Sequence, residues 1–152
     1  MNTLIFQATT NHIEDVTSLF NCYRIFYRQE SNYNAAKEFI KERFERQDSV
    51  ILLATKDNKA VGYTQLFPSF SSVSMKRVWI LNDLFVIPEA RNQGIARALI
   101  NAAKDYAIAT KAVRIVLATE VTNTVAQKLY ETMGYRKFEE FYHYILAIDS
   151  KL

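Results

Sequence analysis

Short apolar runs alternate along this chain with segments whose apolar residues recur every third or fourth position, a pattern of strands interleaved with helices. Leu4 to Ala8 reads as a strand, and Thr9-Thr10-Asn11 with Glu14 signals the start of a helix, with Glu14 as the expected capping partner. Ile13, Val16, Leu19 or Phe20, Tyr23, Phe26 and Tyr27 hold helical spacing; Ser31 to Asn34 breaks it, and Ala36, Phe39, Ile40 and Phe44 resume it over Ala35 to Arg46. Val50 to Thr55 and Ala60 to Phe67 predict a hairpin turned by Asp57-Asn58, residues that tolerate left-handed backbone. Pro68 and the serines to Ser74 predict a loop, followed by a long strand from Lys76 to Ile87. A helix opens near Gly94, with Ile95, Leu99, Ala102 or Ala103 and Tyr106 on one face. Val113 to Ala118 is another strand, Asn123 to Met133 a helix closed by Gly134, and Tyr135 to Phe138 and Phe141 to Ile148 read as closing strands. The fold class that follows is α/β: a central, mostly antiparallel sheet flanked by about four helices.

Inside the long strand, Asn82-Asp83 interrupts two apolar runs. Strict alternation puts the two on opposite faces, so at most one faces a cleft and the other needs a buried partner. Pro88 ends the strand, and the helix that follows presents unpaired N–H groups and the positive end of its dipole to whatever sits above the strand end. Gly94 and Ala96 keep that approach clear, while Arg91 and Arg97 flank it. This junction is either a diphosphate cradle or a helix start that happens to carry a glycine. A P-loop is excluded because no Gly-Lys-Ser/Thr is present, and a dinucleotide fingerprint because its first glycine is missing.

At 152 residues, 49% of them hydrophobic, the chain can bury a core and is expected to form a single domain spanning 1–152. Its net charge of +3 comes from dispersed Lys and Arg among 16 acids, which argues against nucleic acid and suits a polyanionic cofactor. Cys22 is the lone cysteine, no leader pattern opens the chain, and no apolar run reaches membrane-spanning length, so a cytoplasmic protein with no membrane or metal partner is expected.

Arg91-Asn92-Gln93-Gly94-Ile95-Ala96 after a strand ending in Val86-Ile87-Pro88 resembles the Arg/Gln-x-x-Gly-x-Gly/Ala motif of the GCN5-related N-acetyltransferases. Asn123 to Tyr135 resembles that family's second motif, Asn-x-x-Ala-x-x-Leu-Tyr-x-x-x-Gly-Phe/Tyr. The resemblance runs from about Leu4 to Ile148 and is most specific between Trp79 and Tyr135; within the family it is nearest in impression to the small histone and polyamine acetyltransferases. It implies acetyl-coenzyme A as cofactor, held by Arg91 to Arg97 and Asn123, and by main-chain groups of Leu84, Phe85 and Val86 where the strand bulges and splays from a parallel neighbour. It implies Tyr130 as the acid that protonates the departing thiolate, a role compatible with an ordinary phenol pKa of about 10. Asp83 is the acid nearest the expected acetyl site and the first candidate for general base. Glu120, His143 and bulk water are alternatives, and Asn82 stands where several polyamine acetyltransferases carry an acid.

Tyr23, Phe26, Tyr27, Phe70 and Asn82 are candidate substrate contacts, although aromatics at helical spacing also fit a plain core. Three functions stay open: an acetyltransferase acting on a small-molecule amine (polyamine or amino-acid-like), one acting on proteins or peptides, and a non-catalytic acyl-coenzyme A binding module. The apolar run Phe141 to Ile148 predicts a homodimer, because it is too apolar for an exposed sheet edge.

Overall fold

The structure, a computed structural model, describes residues 2–149, and the chain divides into two compact units, residues 1–118 and 119–152. In the first unit five strands form one sheet in sequential order: β1 (Thr3–Gln7), β2 (Val50–Lys56), β3 (Lys59–Ser71), β4 (Lys76–Val86) and β5 (Arg114–Val116). Three pairings are antiparallel and the last, β4 with β5, is parallel.

The run Val50 to Ala54 lacks an apolar/polar alternation because both faces of the sheet are covered. Val50, Leu52 and Ala54 pack with Ile95, Leu99 and Ala103 of α3 (Ile95–Ala109), the face its spacing predicts, with Tyr106 partly buried against the cluster and Ala107 added to it. Ile51 and Leu53 pack with Val16, Leu19 and Phe20 of α1 (Ile13–Phe26) and Ala36 and Ile40 of α2 (Tyr33–Arg46).

Two local expectations change, and the bulge that the resemblance implies is located. A 3-10 turn at Thr10–His12 precedes α1, so His12 rather than Glu14 completes the Thr9 cap, its Nδ1 accepting the Thr9 N–H at 2.9 Å. The expected loop at Pro68 is strand: β2 stops pairing at Leu66, so Pro68 meets β4 on one side and owes no N–H to the other. β4 carries a bulge: Gln65 pairs with Asp83 and Leu66 with Leu81, leaving Asn82 as the extra residue. Trp79 and Leu81 face the α3 side, and so do Leu84 and Val86, because the bulge resets the alternation. Asp83 and Phe85 therefore turn toward α1.

β5 pairs only with Val78, Trp79 and Ile80, while β4 runs on to Val86. The parallel pair is thus splayed, with six residues of β4 beyond the last β5 contact.

In the second unit, α4 (Thr124–Thr132) is capped by Asn123, whose side-chain oxygen accepts the Ala126 N–H at 3.1 Å. It ends at Met133, with Gly134 in the left-handed region (φ +95°) as its composition requires. The closing strands expected at 135–138 and 141–148 do not form among the described residues. Apolar content states only that a segment wants burial; a strand also needs a ladder partner. Phe141, Tyr142, Tyr144, Ile145, Leu146 and Ile148 remain exposed.

Candidate active site

The loop after β4 is fixed by its own side chains. A single 3-10 turn, Pro88–Ala90, leads to Asn92 and Gly94, both in the left-handed region at φ +62° and +80°. Arg91 Nε donates to the Val86 carbonyl at 2.9 Å, and its guanidinium carbon lies 5.6 Å from the Phe26 ring and 5.7 Å from that of Phe85. Gln93 accepts a hydrogen bond from Lys56 Nζ and donates to the Glu89 carbonyl at 3.4 Å. Ile95 is buried, so it offers its N–H alone, whereas Asn92, Gln93, Gly94 and Arg97 are exposed. A side chain built on Gly94 would meet nothing within 4 Å. The space above the first turn of α3 is open, and the amides of that turn have no partner within the helix.

Beside this turn lies the free edge of β4. The Ile87 N–H joins the β3 ladder, donating to the Val61 carbonyl at 2.9 Å. In an antiparallel pair the main-chain groups of alternate residues point to opposite edges. Phe85 therefore directs its groups to β3, while Leu84 and Val86 direct theirs to the splayed side, where β5 no longer reaches. The Val86 carbonyl is taken by Arg91, which leaves its N–H and both main-chain groups of Leu84 without a partner among the described residues.

Across the bulge sits the aromatic end of α1. Tyr23 Oη donates to the Asn82 carbonyl at 3.2 Å, and its ring meets those of Tyr63 and Phe85 edge-on at 6.1 and 6.5 Å. Tyr27 packs on Tyr23 at 5.0 Å, and Phe26, 52% exposed, lies against Phe85 and Tyr27. Tyr23, Phe26, Tyr27 and Asn82 are thus one group. Phe70 is apart from them: it pairs with Arg77 at the other end of β4, its ring under that guanidinium at 4.5 Å. Nine residues of strand, roughly 30 Å, separate it from Val86.

Asp83 is 1% exposed, and both of its carboxylate oxygens are engaged. Oδ2 accepts Tyr63 Oη at 2.8 Å and Gln65 Nε2 at 2.9 Å; Oδ1 accepts Asn82 Nδ2 at 2.7 Å. Burial pushes its carboxyl above the ordinary carboxylate range against the pull of those three donors, and burial likewise pushes the Tyr63 phenol well above its usual value. Three donors and 1% exposure keep this carboxylate turned into the protein and away from solvent. Tyr63 and Gln65 escaped the sequence reading; the available signal was Thr64-Gln65, two polar residues in a strand otherwise buried, facing the equally anomalous Asn82-Asp83.

Asn123 and Tyr130 belong to the second unit. Tyr130 lies on α4 with its ring 5.8 Å from that of Tyr135, whose N–H closes the helix on the Tyr130 carbonyl at 3.0 Å. Glu120 receives the Asn123 N–H at 3.0 Å on its main-chain carbonyl, and His143 is exposed in a segment without regular structure. Among the described residues no His, Cys, Asp and Glu side chains group to hold a metal, and no helix is long and apolar enough to cross a membrane.

A parallel strand pair whose pairing stops short, a strand–turn–helix with open space over its first turn and a bulged central strand make up an α/β fold with a free strand edge beside a helix N-terminus. Residues 13–135 match the sequence profile of the Acetyltransferase (GNAT) family, and the chain belongs to that family. An uncharacterised N-acetyltransferase of Bacillus subtilis (strain 168) is 48% identical over 145 residues, covering 95% of this chain and 97% of that one. A crystal structure of a probable acetyltransferase superposes with a TM-score of 0.93 at 45% identity, over 97% of this chain and 99% of the other. An aminoglycoside N-acetyltransferase in complex with CoA shares the fold with a TM-score of 0.80 at 21% identity, over 95% of each chain. The protein is an acetyltransferase.

Proposed function

We propose that this enzyme, acting as one domain, transfers acetyl from acetyl-coenzyme A to the primary amine of a small molecule, polyamine or amino-acid-like, by direct attack with both substrates bound. The observation that carries the cofactor is the juxtaposition of the open space over Gly94 with the unpaired main-chain edge at Leu84 and Val86. The first-turn amides, with Arg91, Asn92, Gln93 and Arg97, suit a diphosphate; the Leu84 and Val86 edge suits an amide-bearing arm. Acetyl-coenzyme A, when bound, supplies an acyl carbon activated as a thioester.

The aromatic group of Tyr23, Phe26 and Tyr27 over the Asn82 bulge supports a compact acceptor with an alkyl body. Tyr130 is the acid that gives up its phenolic proton as the carbon–sulfur bond breaks. The acceptor nitrogen loses its proton to water, since Asp83 is buried and turned toward its three donors. A cytoplasmic setting agrees with the exposed free thiol of Cys22.

The deciding experiment incubates the protein with acetyl-coenzyme A and polyamines, lysine analogues, aminoglycosides or basic peptides, and follows release of free thiol. Turnover with small amines is expected. Turnover with peptides alone would replace this reading with a protein acetyltransferase, and tight cofactor binding without turnover would replace it with a binding module.

We also infer a homodimer. Six large apolar side chains between 141 and 148 are exposed, and covering them in each copy gives roughly the 800 Å² per partner of a stable interface. Light scattering at micromolar concentration should show twice the chain mass; a strictly monomeric mass would refute the pairing.

A further inference from the structure

Asp83 is a buried carboxyl that the transfer reaction above does not use. A leucine in its place would fill the core without the cost of desolvating a charge-bearing group, so its position calls for a physical account. The bulge beside it calls for another. Asn82 has no ladder partner, and a regular β4 would gain one by slipping a single residue.

Such a slip would be drastic for the cofactor edge. Shifting the strand by one residue exchanges the two edges for every position after the bulge, so Leu84 and Val86 would turn their N–H groups into the β3 ladder and Phe85 would take their place. The bulge is therefore what selects which amides face the splayed gap.

Every connection to the bulge converges on Asp83 or its neighbour. From β3, Tyr63 Oη and Gln65 Nε2 reach Oδ2, and Thr64 Oγ1 donates to the Asp83 carbonyl at 2.7 Å. The extra residue itself reaches Oδ1 through Asn82 Nδ2, and from α1 Tyr23 Oη reaches the Asn82 carbonyl. In a slipped register residue 83 would face away from these donors, leaving Tyr63 and Gln65 buried without an acceptor.

We propose that Asp83 is a positioning residue: its carboxylate pins the Asn82 bulge and so holds Leu84 and Val86 with their main-chain groups on the open edge of β4. It acts on affinity for the arm of the cofactor without touching it. This rests on the reading that the edge receives acetyl-coenzyme A.

The test uses the full chain and two variants, Asp83→Asn, which removes the charge, and Tyr63→Phe, which removes one donor and keeps the ring. Calorimetry compares coenzyme A with 3′-phosphoadenosine 5′-diphosphate, which keeps the phosphates and lacks the arm. Asp83→Asn should weaken coenzyme A by about tenfold and Tyr63→Phe by about threefold, with the arm-less nucleotide unchanged in both. Amide hydrogen exchange without ligand should quicken at Phe85 and Ile87 in both variants while Leu53 in β2 stays protected.

Unchanged coenzyme A affinity, or equal weakening of both ligands, would overturn the pin and leave Asp83 a core residue. Should Asp83→Asn lose cooperative unfolding, Tyr63→Phe carries the same comparison alone. Failure of the wild-type protein to bind coenzyme A at all would strike the functional reading instead, and the exchange pattern would then decide the pin by itself.

Discussion

Gly94→Asn should weaken coenzyme A binding by roughly 10²-fold to 10⁴-fold while leaving the unfolding midpoint nearly unchanged. Gly94 holds φ +80°, a conformation that asparagine tolerates better than any other residue with a side chain beyond Cβ, so the turn into α3 survives the change. What changes is the space above the turn, where a Cβ now meets nothing within 4 Å. An added amide there stands between a diphosphate and the amides of residues 94 to 97. Hydrogen bonds to a charged group are worth about 1.5–3 kcal/mol each, so losing two gives that range.

Gly94→Ala separates the two terms. It adds little bulk but strains the backbone, so it should lower stability by about 1 kcal/mol with a smaller effect on affinity. Calorimetry on both variants checks this, and unchanged affinity in Gly94→Asn would remove the cradle from the site.

What the sequence makes legible here is whatever repeats locally. The stripe Ile95, Leu99, Ala103 and Tyr106 lies on one face of α3 by spacing alone, and the doubly apolar run Val50 to Ala54 marks a strand covered on both sides. The turn chemistry of Asp57-Asn58 and of Gly134 is equally local, and both hold the left-handed backbone expected of them.

The less legible features depend on partners distant in sequence. Counting by twos along β4 assumes an unbroken register, and the bulge at Asn82 cancels that count after Leu81. The bonds that hold Asp83 come from Tyr63 and Gln65, 20 and 18 residues earlier, and no spacing rule along β4 points to them. The open edge at Leu84 and Val86 is a property of main-chain groups, which every residue type carries alike, so residue types alone do not mark it: the family resemblance implies it over Leu84 to Val86, and the β5 pairing stops short of it. Residues 135–149 show the opposite error: their apolarity is local and obvious, but a strand needs a partner that composition does not supply.

Tyr130→Phe should leave coenzyme A affinity within a factor of about two and lower turnover by roughly 10²-fold to 10⁴-fold, the usual contribution of a positioned acid. The ring stays, so its contact with Tyr135 at 5.8 Å and the turn that closes α4 should persist. Only the phenolic hydroxyl is lost. If Tyr130 gives up the proton of that hydroxyl as the carbon–sulfur bond breaks, its absence is felt after the amine has attacked, in the rate and not in the binding of either substrate.

A purely packed tyrosine predicts the reverse. The phenylalanine variant would then turn over normally, and loss would appear only with a smaller side chain such as alanine, through lower stability. Tyr135→Phe supplies the control, because the family motif resembled at this position accepts phenylalanine as readily as tyrosine and no step is assigned to the Tyr135 phenol. That variant should turn over as the wild type does. Turnover and affinity measured on one preparation of Tyr130→Phe decide the matter: full activity there would remove Tyr130 from the chemistry and leave a water molecule as the proton source for the departing thiolate.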